Sequence, residues 1–127
     1  MNQAVIAVGS NIDPVRNIKK ASALLSKSQK FVKKSAFART EPILYENQPD
    51  FMNGAFLIET ELPLDDLVKW LKSVEKQLGR KPSENKYGPR PIDLDVVVWN
   101  GELIGKDFYE RDFVKKAVLE LLPSINY

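Results

Sequence analysis

The chain has 127 residues, 43% hydrophobic and 28% charged, with a formal net charge of +2, a balance that fits one globular domain over residues 1–127 with a core of its own. It contains no cysteine and no histidine, which excludes disulfides, thiolate or imidazole metal sites and Ser-His or Cys-His catalysis, and leaves Asp, Glu, Lys, Arg and hard cations as the available chemistry. The small net charge argues against a nucleic-acid partner, and no apolar run nears the roughly 20 residues of a bilayer span, so a cytosolic protein without membrane contact is expected; a monomer is expected as well.

Gln3 to Val8 is an apolar run closed by Gly9, suited to a buried central strand. Gly9-Ser10-Asn11 turns the chain, and Asp13-Pro14 signals a helix start, with the Asp13 carboxylate expected to cap free amides. Val15, Ile18, Ala21, Ser22 and Leu25 then predict a helix from Pro14 to Ser26, its Lys19 and Lys20 in solvent. Lys30 to Arg39 alternates weakly and predicts one strand with a basic outer face. Thr40 to Asp50 holds two prolines and is too long for a tight hairpin, the kind of loop that often carries function. Phe51 to Thr60 predicts a substantial strand with Phe51, Asn53 and Ala55 on one face and Met52, Gly54, Phe56 and Ile58 on the other. An amide between aromatics at a strand mouth can bond a flat heterocycle or simply satisfy a backbone group.

Leu64, Leu67, Val68, Leu71, Val74 and Leu78 follow helical spacing, Asp65 and Asp66 favour the dipole of the first turn, and Gly79 supplies a left-handed cap. Residues 80–86 form a polar linker with three cations, a solvated connection or a cover for a polyphosphate. Asn100-Gly101 predicts a turn into a short returning strand at 102–105, and Phe113, Val114, Ala117, Val118 and Leu121 predict a last helix ending near Pro123, with Lys115 and Lys116 exposed. The order strand, helix, strand, strand, helix, strand, helix is βαββαβ. It implies an α+β, ferredoxin-like sandwich, mainly antiparallel, with the first and fourth strands expected at its centre.

One stretch speaks of chemistry: Lys86-Tyr87-Gly88-Pro89-Arg90-Pro91-Ile92-Asp93-Leu94-Asp95, continuing into Val96-Val97-Val98-Trp99. On a strand Asp93 and Asp95 point to one face roughly 6 to 7 Å apart, with Val97 and Trp99 expected farther along that face and Ile92, Leu94, Val96 and Val98 on the other. Two half-desolvated carboxylates repel, so Arg80, Arg90 or a divalent cation is needed beside them unless the pair is solvated.

Tyr87-Gly-Pro-Arg-Pro-Ile-Asp-Leu-Asp95 resembles the signature of the 6-hydroxymethyl-7,8-dihydropterin pyrophosphokinases. Ala7-Val-Gly-Ser-Asn11, Arg39-Thr-Glu-Pro42, Gln48-Pro-Asp-Phe-Met-Asn53, Glu75 to Arg80, Arg111-Asp-Phe113 and Glu120-Leu-Leu-Pro123 resemble further segments of that family in the same order. The resemblance implies pyrophosphoryl transfer from ATP to the hydroxymethyl oxygen of the pterin, with AMP released and two Mg2+ ions held by Asp93 and Asp95. It also implies that Phe51 and Phe113 stack the pterin, that Asn53 and the Thr40 backbone bond its edge, and that Arg80, Tyr87, Arg90 and Arg111 serve the nucleotide phosphates, Arg80 and Arg90 in a catalytic role. The chain departs from the family pattern in three places. Residues 105–110 lack the usual histidine, Pro82 stands where a second loop arginine is usual, and Tyr87 replaces a frequent tryptophan. Lost charge-assisted phosphate contacts would cost about 1.5 to 3 kcal/mol each, so weak nucleotide binding is expected. Two other readings stay open: a non-catalytic or altered-substrate pterin-binding relative, and an RNA-binding or regulatory ferredoxin-like module, although the central strands lack the stacked aromatics of the latter.

Overall fold

A computed structural model describes residues 1–42, 48–80 and 89–127. The elements are β1 (Asn2–Ser10), α1 (Pro14–Ser28), β2 (Lys30–Lys34), β3 (Ala38–Thr40), β4 (Phe51–Thr60), α2 (Leu64–Gln77), β5 (Asp93–Trp99), β6 (Glu102–Leu103), α3 (Asp107–Glu110) and α4 (Asp112–Leu121). All pairings are antiparallel, and the sheet runs β2-β4-β1-β5-β6 with β3 also on β4. The architecture is α+β and ferredoxin-like. β1 is central as expected, but its inner partner is β4. The outer edge of β5 is covered only at Val98 and Trp99 by the two-residue β6, so the fourth strand of the motif is inner along part of its length only.

The sheet separates two cores. On one face Ala21 and Leu25 of α1 and Leu67, Leu71 and Val74 of α2 pack on Ile6, Val8, Phe56, Ile58 and Leu94; on the other, Val114, Ala117, Val118 and Leu121 of α4 with Phe108 of α3 pack on Val5, Ala55, Leu57, Val97 and Val98. Phe56 is fully buried between Phe31 and Phe37, with ring centroids at 5.1 and 5.9 Å. Truncating such a residue typically costs about 3 to 5 kcal/mol.

Four local expectations are corrected. Asp13 does not cap α1 through its side chain: it takes a left-handed conformation (φ 44°), and its carboxylate lies 3.7 Å from Arg16. The nearby polar closure comes instead from buried Asn17, whose Nδ2 donates to the Ile12 carbonyl at 2.6 Å. Burying Asn17 with Ala21 and Leu25 rotates the helix so that Val15, placed in the stripe by spacing, stands 71% exposed. The strand expected over 30–39 is two strands, because Ser35 leaves the ladder: its N–H donates to the Ala55 carbonyl and its Oγ accepts from the Ala55 N–H.

The fourth correction bears on the acidic strand. Ile6 pairs with Val96 and the next β1 residue, Val5, with Val98, so Val97 is an extra residue, a β-bulge. The alternation changes phase there. Val97 and Val98 both enter the α4 core while Trp99 packs on the α1–α2 side, the reverse of a regular strand for Val98 and Trp99. Asp93 and Asp95, upstream of the bulge, keep their shared face. Phe51–Thr60, α2 and the Asn100-Gly101 turn, both of whose φ angles are positive, fall where expected. The expected αL cap at Gly79 is also present (φ 105°). α3 was not anticipated; four residues are too few for a helical period to show.

Candidate active site

Where β1 ends and β4 and β5 begin, the sheet opens into a cavity of about 610 Å³ roofed by the start of α4. Strand register sets its floor. Gly9 of β1 pairs with Asn53 on one side and Asp93 on the other; one row inward, Ala7 pairs with Ala55 and Asp95. Asn53 and Asp93 are therefore two strand spacings apart, roughly 10 Å, with only glycine between them. The missing side chain is required, since a Cβ on Gly9 would come within 2.6 Å of Asn53 Oδ1. A flat polar bicycle can lie across such a floor with one edge at the amide and the other toward the acids.

The neutral end of the cavity is built by β-pairing. Asn53 Nδ2 donates to Thr40 Oγ1 across the β3–β4 pair, and Phe51 lies opposite Thr40 in the same register. Phe51, half-buried at the strand start, and Phe113, half-buried in the first turn of α4, both line the cavity. Arg111, at the N-terminus of α4, lines it too and places its Nε 3.4 Å from Asp107 Oδ1.

The charged end is a compact network. Arg80 Nη1 donates to Asp93 Oδ1 at 2.9 Å and forms an ion pair with Glu75 Oε1 at 2.8 Å, and Arg90 Nη1 lies 3.6 Å from the same aspartate oxygen. Asp93 is thus balanced by two guanidinium groups. Asp95 is not: burial first, then the Asp93 charge, push its carboxyl up to about 7, as expected for a desolvated acid beside a like charge. A divalent ion would relieve that cost. Among the described residues no three acidic side chains converge to bind an ion alone, and Mg2+ is characteristically held by one or two carboxylates with substrate phosphates and water rather than by an all-protein cage. The donor set therefore fits Mg2+ arriving with a polyphosphate.

Thr40, Phe51, Asn53, Arg80, Arg90, Asp93, Asp95, Arg111 and Phe113, singled out from the sequence, all line this one cavity; Tyr87 lies outside the described residues, as does most of the 80–86 linker. Others were missed. Glu75 is 2% exposed, its Oε2 accepts from the Leu94 N–H at 2.7 Å on the open edge of β5, and burial raises its pKa despite that bond. Its signal was available: it sits four residues after Leu71 and three before Leu78, a charge in an apolar stripe. Lys72, 3.8 Å from Glu75, and Asp107 also line the cavity; nothing in their spacing marked them.

Residues 5–123 match the family model of the 7,8-dihydro-6-hydroxymethylpterin-pyrophosphokinases. The chain belongs to this family. It is 35% identical over 135 residues to the 2-amino-4-hydroxy-6-hydroxymethyldihydropteridine pyrophosphokinase of Bacillus subtilis, covering 98% of this chain and 80% of that protein. The corresponding enzyme of Haemophilus influenzae is 31% identical over 136 residues, 98% of this chain and 84% of that one. A folate synthesis bifunctional protein of Arabidopsis thaliana is 34% identical over 132 residues, 96% of this chain. The chain spans about a quarter of that plant protein's length, 27%. The family resemblance carried by the Tyr87–Asp95 signature and the colinear segments is borne out over nearly the whole chain.

Proposed function

We propose that residues 1–127 form one pyrophosphokinase domain that transfers the β,γ-diphosphoryl group of ATP to the hydroxymethyl oxygen of 6-hydroxymethyl-7,8-dihydropterin, giving AMP and the pterin diphosphate used in folate synthesis. The bond formed joins that oxygen to the β-phosphorus. The bond broken is the α–β phosphoanhydride, whose electron pair leaves on AMP while the hydroxyl proton is released to solvent. The observation that carries the reading is the convergence of nine family-matched side chains on one cavity with neutral amide and aromatic groups at one end and paired carboxylates with arginines at the other.

In this reading Phe51 and Phe113 sandwich the pterin, Asn53, held by Thr40, bonds its amide edge, and the Gly9–Ala7 floor lets the ring lie flat with its hydroxymethyl group toward β5. Asp93 and Asp95 would hold two Mg2+ ions; these supply neutralisation of the phosphate charge and a template for the in-line attack. Arg80 and Arg90 are positioned by Glu75 and Asp93 to exchange acidic partners for phosphate oxygens, and Arg111 can do the same from Asp107. Tyr87 is assigned to the nucleotide by family resemblance alone. Catalysis is then positioning and electrostatic stabilisation, with no side-chain nucleophile.

The protein acts as a cytoplasmic monomer on small molecules only; among the described residues no helix is long and apolar enough to cross a membrane. A coupled assay for AMP from ATP, Mg2+ and hydroxymethyldihydropterin tests the assignment, and folded protein without turnover would refute it. A second reading, a relative that binds pterin but handles nucleotide poorly, is favoured by the engagement of Arg80 with two acids. Calorimetry showing pterin binding without Mg-ATP binding would select it.

A further inference from the structure

Asn11 stands just past the end of β1, outside the cavity lining, yet it is 2% exposed and makes four hydrogen bonds. Its main-chain N–H donates to the Arg90 carbonyl at 3.1 Å and its Oδ1 accepts from the Arg90 N–H at 2.7 Å, a pair of hydrogen bonds that grips the turn leading into Asp93 and Asp95. Its Nδ2 donates to Gln48 Oε1 at 2.7 Å and to the Pro49 carbonyl at 3.1 Å, gripping the segment that leads into Phe51 and Asn53. One buried amide thus ties the two stems that feed the charged and neutral ends of the cavity. β1 already spaces Asn53 from Asp93 through Gly9. Pro49 and Arg90 lie beyond the paired residues of β4 and β5, and no ladder bond relates them to each other.

We infer that Asn11 is a positioning residue for the transfer step: it sets the pterin-side stem and the Arg90 turn in one register, so that the attacking oxygen and the phosphate meet in line. The inference rests on the pyrophosphokinase reading. A misplacement on the scale of 1 Å costs roughly a hundredfold in rate, whereas each substrate alone still finds its own contacts. The effect therefore falls on kcat rather than on KM.

Two variants separate this from a merely structural role. Asn11→Asp keeps an acceptor for the Arg90 N–H but has no N–H for Gln48 or Pro49; Gln48→Ala removes one acceptor from a half-exposed position and leaves the core intact. In steady-state assays normalised to folded protein, Asn11→Asp is expected to lower kcat about 30- to 100-fold, with KM for pterin and ATP within about threefold; Gln48→Ala should fall between it and the unmodified protein. Calorimetry with 6-hydroxymethylpterin, with and without α,β-methylene-ATP and Mg2+, provides a readout that does not need turnover. Each variant should bind the pterin alone nearly normally and lose about two- to threefold of its affinity in the ternary complex. A structural role would lower the melting temperature and leave kcat per folded molecule unchanged. That result, or a loss confined to one KM, overturns the inference. If Asn11→Asp does not fold, Gln48→Ala decides. If the unmodified protein produces no AMP, the proposed function falls, and the ternary-complex comparison alone decides the role of Asn11.

Discussion

The two ends of the cavity are made in different ways. At the Asn53 end the recognising groups Thr40, Phe51 and Asn53 are neutral and meet across paired strands, so this part of the site is preformed: Thr40 and Asn53 meet because β3 and β4 pair, and Gly9 leaves room because β1 lies between. At the Asp93 end the groups are charged and serve as one another's partners: Arg80 bridges Glu75 and Asp93, while burial and then the neighbouring Asp93 charge keep the pKa of Asp95 raised. On the proposed reading, the contrast separates a surface that recognises shape from one whose charges change partners when an anion and cations arrive. Preorganisation lowers the cost of binding at the first. On the same proposed reading, the second trades internal ion pairs for phosphate contacts, which makes it sensitive to charge, metal and pH.

The strongest way to break the charged end is Asp95→Ala. It removes a proposed metal ligand at the mouth of β5 and no core packing, so kcat should fall by about 10³-fold or more across a Mg2+ titration while the fold persists. Circular dichroism and a thermal melt are the controls, and turnover within tenfold of the unmodified protein would remove Asp95 from the metal site. Breaking the neutral end should act differently. Asn53→Ala is expected to raise KM for the pterin about 10- to 100-fold, the loss of a hydrogen-bond partner at about 1 to 3 kcal/mol, and to leave KM for ATP unchanged. A parallel rise in both constants would show that the two ends are not separable.

The smallest effect sharpens the comparison through pH. The folded-state pKa of Asp95, about 7, lies above the ordinary value of 3.8. Between those values the folded protein binds the extra proton, so the contribution of this group is fully present below about pH 4 and is lost as pH rises through about 7. In metal-free buffer the melting temperature should therefore drop by a few degrees between pH 5 and 8, and Asp95→Asn should remove that part of the slope. Saturating Mg2+ with a nucleotide should flatten it as well, since the ion stabilises the charged form. A slope unchanged in Asp95→Asn would locate the titration elsewhere.

Much of this was legible along the chain. Periodicity located α2 and β4, because a long element repeats its pattern often enough to be counted, and Asn100-Gly101 marked its turn because few residues tolerate positive φ. The acidic pair and its need for a counter-charge followed from strand alternation alone. What escaped were features that one residue decides: the Val97 bulge that reverses Val98 and Trp99, the Ser35 break between β2 and β3, and the rotation of α1 by a buried Asn17. In each, a tertiary bond or packing contact outweighs a local preference of a few tenths of a kcal/mol.

The sequence by itself determined the order of the long elements, the exclusion of cysteine and histidine chemistry, and the family, since these depend on residue type and on spacing along one strand or helix. Only the tertiary structure decided that Arg80 answers to Glu75 and Asp93, that Gly9 is the floor between Asn53 and Asp93, and that Asn11 joins the two stems. Those relations cross from one element to another, and local spacing carries no information about which side chains the sheet will set side by side.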